Sequence, residues 1–254
     1  MQKRGQVSVF AIVGIILVIL VGLFFFARSE FGFFVSPTKF LDDKSKPIED
    51  NLKQCIREVT NKSLDVFSKQ GGDFNPNNYL LYQSRTVKYY CINIRGEDKC
   101  MNVIPSFESL VKGLNDEIDK GVKECVDKDL VKGGLGYEVN VKGLNTQVFA
   151  RGNSLVVRSE YDINIVKGEN KQTLKPVVVS FDAPIQDIYR VAVDIVNSES
   201  EIGFFEQLLY MLSKRGQYVI NLDKPYPDKI YKIQKRNSNF EFWFAVEGER
   251  DIYG

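Results

Sequence analysis

The chain has 254 residues, a mass of 29.0 kDa and a formal net charge of +1, from 34 basic and 33 acidic side chains. Nucleic-acid binding usually requires a basic excess, so we expect no nucleic acid among its partners. The sequence contains no histidine, which removes the commonest general base and the commonest transition-metal ligand. We therefore expect a protein that is not an enzyme, with no catalytic residues, no metal and no cofactor.

Residues 7–27 form an apolar run that no charged residue interrupts. As a helix this run spans roughly 30 Å, the thickness of bilayer hydrocarbon. Lys3 and Arg4 precede it and Arg28 follows it, so the positive-inside bias favours a cytoplasmic N-terminus and an external domain. A cleaved secretory signal has a shorter apolar core, and a buried core helix has a polar face. The sequence predicts a single-pass anchor in the cell membrane, with the lipid bilayer as a partner.

A short basic motif precedes the apolar run, where residues 3–8 read KRGQVS. This stretch resembles the processing site of archaeal type IV pilin precursors, the class III signal peptides. The resemblance implies cleavage between Gly5 and Gln6, with the apolar helix kept on the mature protein. It also implies a homo-oligomer through that helix, in the core of a surface filament. The chain departs from the family at Phe10, where the family often carries Glu.

The domain plan follows from these features. Residues 1–35 are interpreted as the basic leader and the anchor or pilin-like helix. Pro37 should end any helix, and the polar residues 36–47 predict a linker. Residues 48–254 then form an extracellular α+β domain, with a candidate sub-boundary at the glycine-rich residues 133–136.

An amphipathic helix is predicted over residues 47–69, where apolar side chains recur at helical spacing. Gly71 and Gly72 supply its end. Asn61, Lys62 and Ser63 form an N-glycosylation sequon on this helix, which makes Asn61 a candidate glycosylation site.

The four cysteines, Cys55, Cys91, Cys100 and Cys125, form an even set, which in an external domain suggests two disulfides. Residues 86–94 and 100–104 predict a hairpin that brings Cys91 close to Cys100. Cys55 and Cys125 then pair by elimination and join two predicted helices. Four buried free thiols and a zinc site are the alternatives, although no C-x-x-C pair and no histidine supports zinc.

The other elements follow in order along the chain. Ser106 is expected to cap a second helix that ends near residue 127. The alternation over residues 137–181 predicts an antiparallel meander on the helices, with turns at Gly143, Gly152 and Gly168. Two further helices and three strands are predicted, the helices from Asp182 and over residues 199–214, and the strands over residues 218–222, 229–234 and 240–246.

Two clusters of side chains require an interpretation. The acidic residues of the second and fourth helices, which include Asp119, Glu199 and Glu201, are interpreted as solvated helix faces or as favourable charges near a helix start, and not as paired catalytic acids. The densest aromatic stretch contains Phe240, Phe242, Trp243 and Phe244. These four residues predict either a strand buried on both faces or a contact patch for a neighbouring subunit or a ligand.

The predicted fold class is α+β, with a long N-terminal transmembrane or pilin-like helix and an extracellular domain of helices and antiparallel sheet. An apolar anchor, a helix with Cys55, a helix that ends near Cys125, a strand-rich middle and a late aromatic strand together resemble uncharacterised surface proteins of small-genome archaea. We expect a pilin-like structural protein of the cell surface. The alternatives are an anchored interaction or adhesion module that binds other surface proteins or a host surface and, less favoured, an anchored extracellular hydrolase.

Overall fold

The computed structural model describes residues 37–95, 99–127, 138–166 and 176–248. The chain divides into two compact units, Met1–Ser45 and Lys46–Gly254. The predicted anchor, the Gly5–Gln6 processing site, the turn at Gly168 and the sub-boundary at residues 133–136 lie outside the described residues. Within those ranges, none of the helices combines the length and the apolar character that a bilayer crossing requires.

Helix α1 spans Pro37–Lys69, so the prediction of a linker over residues 36–47 is wrong for its described part. Proline is tolerated at the first position of a helix, because its missing N–H has no partner there. Pro37 therefore begins the helix that we expected it to end. Pro47 lies inside α1, where one backbone hydrogen bond is lost. Gly71 and Gly72 have positive φ angles of 69° and 73° and end the helix, as predicted.

The described residues form three further helices and nine strands. The helices are α2 (Phe107–Val126), α3 (Ile185–Ile202) and α4 (Gln207–Ser213). The strands are β1 (Tyr79–Tyr82), β2 (Arg85–Asn93), β3 (Cys100–Asn102), β4 (Glu138–Arg151), β5 (Ser154–Val166), β6 (Val177–Asp182), β7 (Tyr218–Asp223), β8 (Lys229–Lys235) and β9 (Glu241–Val246). The α+β class is confirmed.

The strands form two sheets. Six strands make one sheet in the order β1-β2-β9-β8-β7, with β3 also paired to β2, and β4-β5-β6 make the other. Strands β2 and β9 pair in parallel, whereas the other pairs are antiparallel. The larger sheet is therefore mixed, and the prediction of antiparallel sheet is wrong at this pair.

One predicted turn is a bulge. Gly152 turns the chain between β4 and β5, as predicted, but at Gly143 the strand β4 continues. The register shifts between Lys142 and Asn145, and Gly143 has a φ of 68°. Glycine at this angle admits the extra residue of a bulge without a steric penalty, so the strand bends there and does not end.

Helix α2 matches its prediction closely. Ser106 is its N-cap, and its hydroxyl accepts a hydrogen bond of 3.2 Å from the backbone N–H of Ser109. Its apolar stripe is buried and consists of Leu110, Leu114, Ile118, Val122 and Val126. The polar side of α2 also contacts the smaller sheet, which the sequence analysis did not predict. Asn115 and Asp119 accept hydrogen bonds of 2.9 Å from the backbone N–H groups of Val148 and Thr146, on the outer edge of β4.

The main core joins the two sheets and the helices. Leu52, Ile56 and Phe67 of α1 contribute to it, as do the stripe of α2 and the buried face of α3. The sheets contribute Leu155 and Val157 from the smaller one and Tyr90, Tyr231, Phe242 and Phe244 from the larger one. A second, smaller cluster lies on the opposite face of the larger sheet and contains Val87, Ile230, Trp243 and Ala245.

Both predicted disulfides are confirmed. Cys55 and Cys125 join α1 to α2 with a Cα–Cα distance of 5.9 Å, and Cys91 and Cys100 join β2 to β3 at 5.4 Å. The hairpin register differs slightly from the expected one, because Cys100 lies opposite Asn93 and Cys91 lies opposite Asn102. The cysteines are diagonal neighbours, which still lie within the reach of a disulfide.

Two glycines of α2 provide a test of the α1–α2 packing. A Cβ at Gly121 would lie 2.6 Å from a methyl group of Val59 on α1, whereas nothing lies within 4 Å of a Cβ at Gly113. We expect Gly121→Ala to lower the free energy of unfolding by about 1–3 kcal/mol through overpacking. Gly113→Ala should raise it by up to about 1 kcal/mol, because alanine favours the helix. Urea unfolding of both variants checks this, and a stabilising Gly121→Ala would contradict the close approach.

Candidate interaction surface

The connection between α3 and α4 differs from the prediction. A helix over residues 199–214 was expected, but α3 runs to Ile202, and Gly203 caps it in the left-handed conformation with a φ of 83°. Helix α4 then has only seven residues, Gln207–Ser213. Gly203 is the physical cause of the break, because this conformation ends a helix and glycine adopts it readily.

The inner face of α4 covers the outer edge of strand β7. Met211 accepts a hydrogen bond of 3.3 Å through its sulfur from the backbone N–H of Ile220. Tyr210 donates a hydrogen bond of 2.6 Å to Asp194 of α3, and its ring packs on Phe205 at 5.1 Å. Burial, together with the hydrogen bond to the Asp194 carboxylate, raises the pKa of Tyr210. These contacts protect an otherwise open sheet edge.

The outer face of α4 is apolar and exposed. Five large side chains of the α3–α4 segment, which we call the apolar ridge, are between 57% and 73% exposed: Ile202, Phe204, Leu208, Leu209 and Leu212. Single exposed apolar residues are normal, whereas five in one short segment mark an interaction site. The need to cover the edge of β7 does not explain these exposed side chains, because the inner face of α4 makes the contacts with β7.

Charged side chains flank the three leucines of the apolar ridge, Leu208, Leu209 and Leu212, along the chain. The exposed Glu201 and Glu206 precede the leucines in the chain, and Glu206 is the N-cap of α4. The exposed Lys214 and Arg215 follow the leucines, and Lys214 is the C-cap. Within the described part of the chain, none of these four side chains forms an ion pair. The leucines of the ridge therefore lie between an acidic N-terminal end and a basic C-terminal end of α4.

A buried carboxylate supports the base of the ridge. Glu199 of α3 is only 2% exposed, so its interpretation as a solvated residue is wrong. It accepts a hydrogen bond from the hydroxyl of Tyr231. It also forms an ion pair with Lys229, whose ammonium nitrogen lies 2.5 Å from a carboxylate oxygen of Glu199. Lys229 also donates to the carbonyl oxygen of Gly203 at 3.0 Å. Burial and the bond to Glu199 raise the pKa of Tyr231.

The predicted aromatic contact patch is buried. Phe240, Phe242, Trp243 and Phe244 are at most 8% exposed. Phe240, Phe242 and Phe244 belong to the main core, and Trp243 belongs to the cluster on the opposite face of the sheet. A surface for another molecule is excluded there in the folded chain, because the rest of the domain already covers these rings. The alternative interpretation, a strand buried on both faces, is the one that fits.

Trp243 is covered by a cation. The ammonium of Lys232 lies 4.7 Å from the centre of the Trp243 ring and 5.1 Å from that of Tyr82. Asp223 forms an ion pair with Lys232 at 2.5 Å and accepts a hydrogen bond of 2.6 Å from the hydroxyl of Tyr82. The bond from Lys232, and then that from Tyr82, lower the pKa of Asp223. These residues close the outer face of the sheet with interactions inside the chain.

The remaining predicted site on a described residue is Asn61. Its side chain is exposed on α1, whereas Ser63 of the same sequon is buried. A glycan at Asn61 would therefore project into solvent, and its attachment stays a prediction. The described residues contain no group of three or more Cys, Asp or Glu side chains that could hold a metal ion.

No protein-family model, curated protein or solved structure matches the chain. The apolar ridge therefore has to be judged from its own geometry.

Sequence reasoning missed this surface, although a signal was present. Residues 208–212 are five consecutive apolar residues, and five successive positions of an α-helix point around its whole circumference. A short helix packed on one side buries only some of them. The inward side chains are Tyr210 and Met211, and the three leucines remain outside.

Proposed function

We propose that this chain is a non-enzymatic structural protein of the cell surface, a pilin-like subunit of a filament or envelope assembly. Residues 7–27 hold it in the membrane as a single pass, with the N-terminus in the cytoplasm and the folded domain outside. The observation that carries the proposal is the pairing of all four cysteines in two disulfides. Disulfides persist in oxidising compartments outside the cytosol, which agrees with the direction of insertion inferred from Lys3 and Arg4.

The assembly part of the proposal rests on the apolar run and the processing motif. A helix that is apolar on all sides is stable in lipid or among copies of itself. Cleavage after Gly5 removes Lys3 and Arg4 and leaves the helix on the protein. Release from the cytoplasmic basic leader is what a subunit needs in order to move from the bilayer into a filament.

A permanently anchored interaction or adhesion module is the second candidate. The apolar ridge favours it, because an exposed apolar surface on a soluble domain marks a site for a partner. The partner would be another surface protein or a host surface. This candidate requires no processing and keeps Met1.

Intact-mass spectrometry of the chain from its native membrane separates the two candidates. We expect a mature N-terminus at Gln6. Gly5→Val should abolish the cleavage, because the resemblance places the cut after a glycine, and Gly14→Ala in the apolar run should leave it unchanged. An uncleaved wild-type chain would contradict the filament route and support the fixed anchor.

Electron microscopy of shed surface material tests the assembly directly. Ordered filaments that contain the chain are expected. A chain that is soluble and monomeric with residues 7–27 intact, or whose cysteines are reduced in the cell, would overturn the proposed location as well as the proposed assembly.

A further inference from the structure

We propose that the apolar ridge is a docking surface for a second copy of this chain, which packs its own ridge in the antiparallel orientation. The contact is isologous, so each copy presents the same five apolar side chains. It involves the external domain and goes beyond the association of N-terminal helices.

The first argument is that only one of the two faces of α4 is packed against the rest of the domain. Its inner face packs on the rest of the domain, through Met211 on Ile220 and through Tyr210 on Asp194 and Phe205. Its outer leucines, Leu208, Leu209 and Leu212, are each about two thirds exposed or more. A helix that served only as an edge cover would be stable with polar residues at these positions, because water solvates them.

The second argument is the polarity of charge along the ridge, which selects a second copy as the occupant. Glu206 and Lys214 are the two caps of α4, roughly 12 Å apart along the helix. In an antiparallel pair, the acidic end of each copy lies beside the basic end of the other. A parallel pair would bring like charges together, which is unfavourable. A single surface that carries both complementary ends is what a two-fold contact requires.

Two contacts inside the chain involve these charged residues. Lys99 donates to the backbone carbonyl of Glu201, so a cation lies beside Glu201, and Glu206 carries the net negative charge at this end. The ammonium of Lys214 lies 5.0 Å from the centre of the Tyr210 ring and forms no ion pair with another described residue.

The third argument concerns strength. Five side chains that are 57–73% exposed offer on the order of several hundred Å² of apolar area, whereas a stable interface between free proteins buries about 800 Å² on each partner. Two free copies would therefore associate weakly. Anchored copies in one membrane have a much higher effective concentration, at which a weak contact is occupied. Only this occupancy, and not the geometry of the contact, depends on the proposed membrane anchor.

Photo-crosslinking of the full chain in its native membrane tests the contact. The crosslinking residue p-benzoylphenylalanine replaces Leu212 on the ridge or, as a matched control, Leu81 on β1, since these side chains are 73% and 70% exposed. We expect a covalent dimer of this chain from position 212 and none from position 81. Adducts only with lipid or only with other proteins would overturn the proposal in favour of those occupants.

Charge inversion tests the antiparallel orientation. The variants E201K/E206K and K214E/R215E should each reduce dimer yield by about tenfold or more, because each carries one sign of charge at both ends. The two variants expressed together should form a mixed dimer, and the fourfold inversion should restore the wild-type yield. A dimer insensitive to all of these changes would contradict the orientation.

The result is separable from the proposed function. Fractionation and the intact mass report whether the chain is anchored and processed, and they do not depend on position 212. A chain that stays anchored but gives no dimer overturns the ridge contact alone.

Discussion

Removal of the Cys55–Cys125 disulfide is expected to lower the free energy of unfolding by about 4 kcal/mol. The bond closes a loop with a sequence separation of 70, and in the loop-entropy account the stabilisation grows with loop length. The bond also joins α1 to α2, which otherwise rely on packing such as that of Val59 on Gly121. The measurement is urea unfolding of the Cys55→Ala/Cys125→Ala variant of the full chain in lipid nanodiscs, followed by the fluorescence of Trp243.

The second disulfide is the internal control. Cys91 and Cys100 have a sequence separation of only 9, so Cys91→Ala/Cys100→Ala should lower the free energy of unfolding by less, about 2.5 kcal/mol. Both variants replace cysteines with the same residue, so the small loss of packing is similar. Equal losses for the two variants would refute the loop-length explanation for this protein.

Removal of the ammonium group of Lys229 is expected to lower the free energy of unfolding by about 3 kcal/mol. Lys229→Met keeps the apolar stem but leaves the Glu199 carboxylate, which is 2% exposed, with the hydroxyl of Tyr231 as its remaining partner among the described residues. Loss of one partner of a buried ion pair is costly because the other charge stays desolvated. The carbonyl of Gly203 loses a donor as well, so the base of the apolar ridge should loosen.

Two variants make this prediction specific. The double variant Lys229→Met/Glu199→Gln should recover about half of the loss, because a neutral amide still accepts from Tyr231 and carries no buried charge. Lys53→Met removes a lysine whose partner Glu49 has a side chain that is 42% exposed, and should change the free energy of unfolding by less than about 0.5 kcal/mol. If the double variant were as unstable as Lys229→Met, the buried charge would not be the cause.

Helix caps, apolar stripes and short hairpins could be predicted from the sequence, because interactions between residues close together in the chain determine them. The cap at Ser106 follows from the need of the first backbone N–H groups of a helix for a hydrogen-bond acceptor. The apolar stripe of α2 follows from the helical period of 3.6 residues. The Cys91–Cys100 bond follows from the short hairpin around it, and the Cys55–Cys125 bond then follows by elimination. The strands β7 to β9 also lie close to their predicted ranges.

The proline and glycine positions show where local rules are ambiguous. Pro37 was expected to stop a helix and instead starts one, because proline is excluded from the interior of a helix more strongly than from its first turn. Gly143 was expected to turn the chain and instead accommodates a bulge within β4. In both cases the residue is compatible with two backbone conformations, and the flanking residues of the same chain decide which one forms.

The sequence alone determined the apolar run at residues 7–27, the disulfide framework and most of the helices and strands, because these depend on residues close together or on a countable set of cysteines. Only the tertiary structure decided that β2 lies beside β9, that Glu199 and Trp243 are buried, and that the leucines of α4 are not. Periodicity reports which side of an element is apolar, but it does not report what covers that side. Coverage depends on contacts between residues far apart in the chain, such as Glu199 with Tyr231 or Lys232 with Asp223 and Tyr82, and these arise only when the whole domain folds.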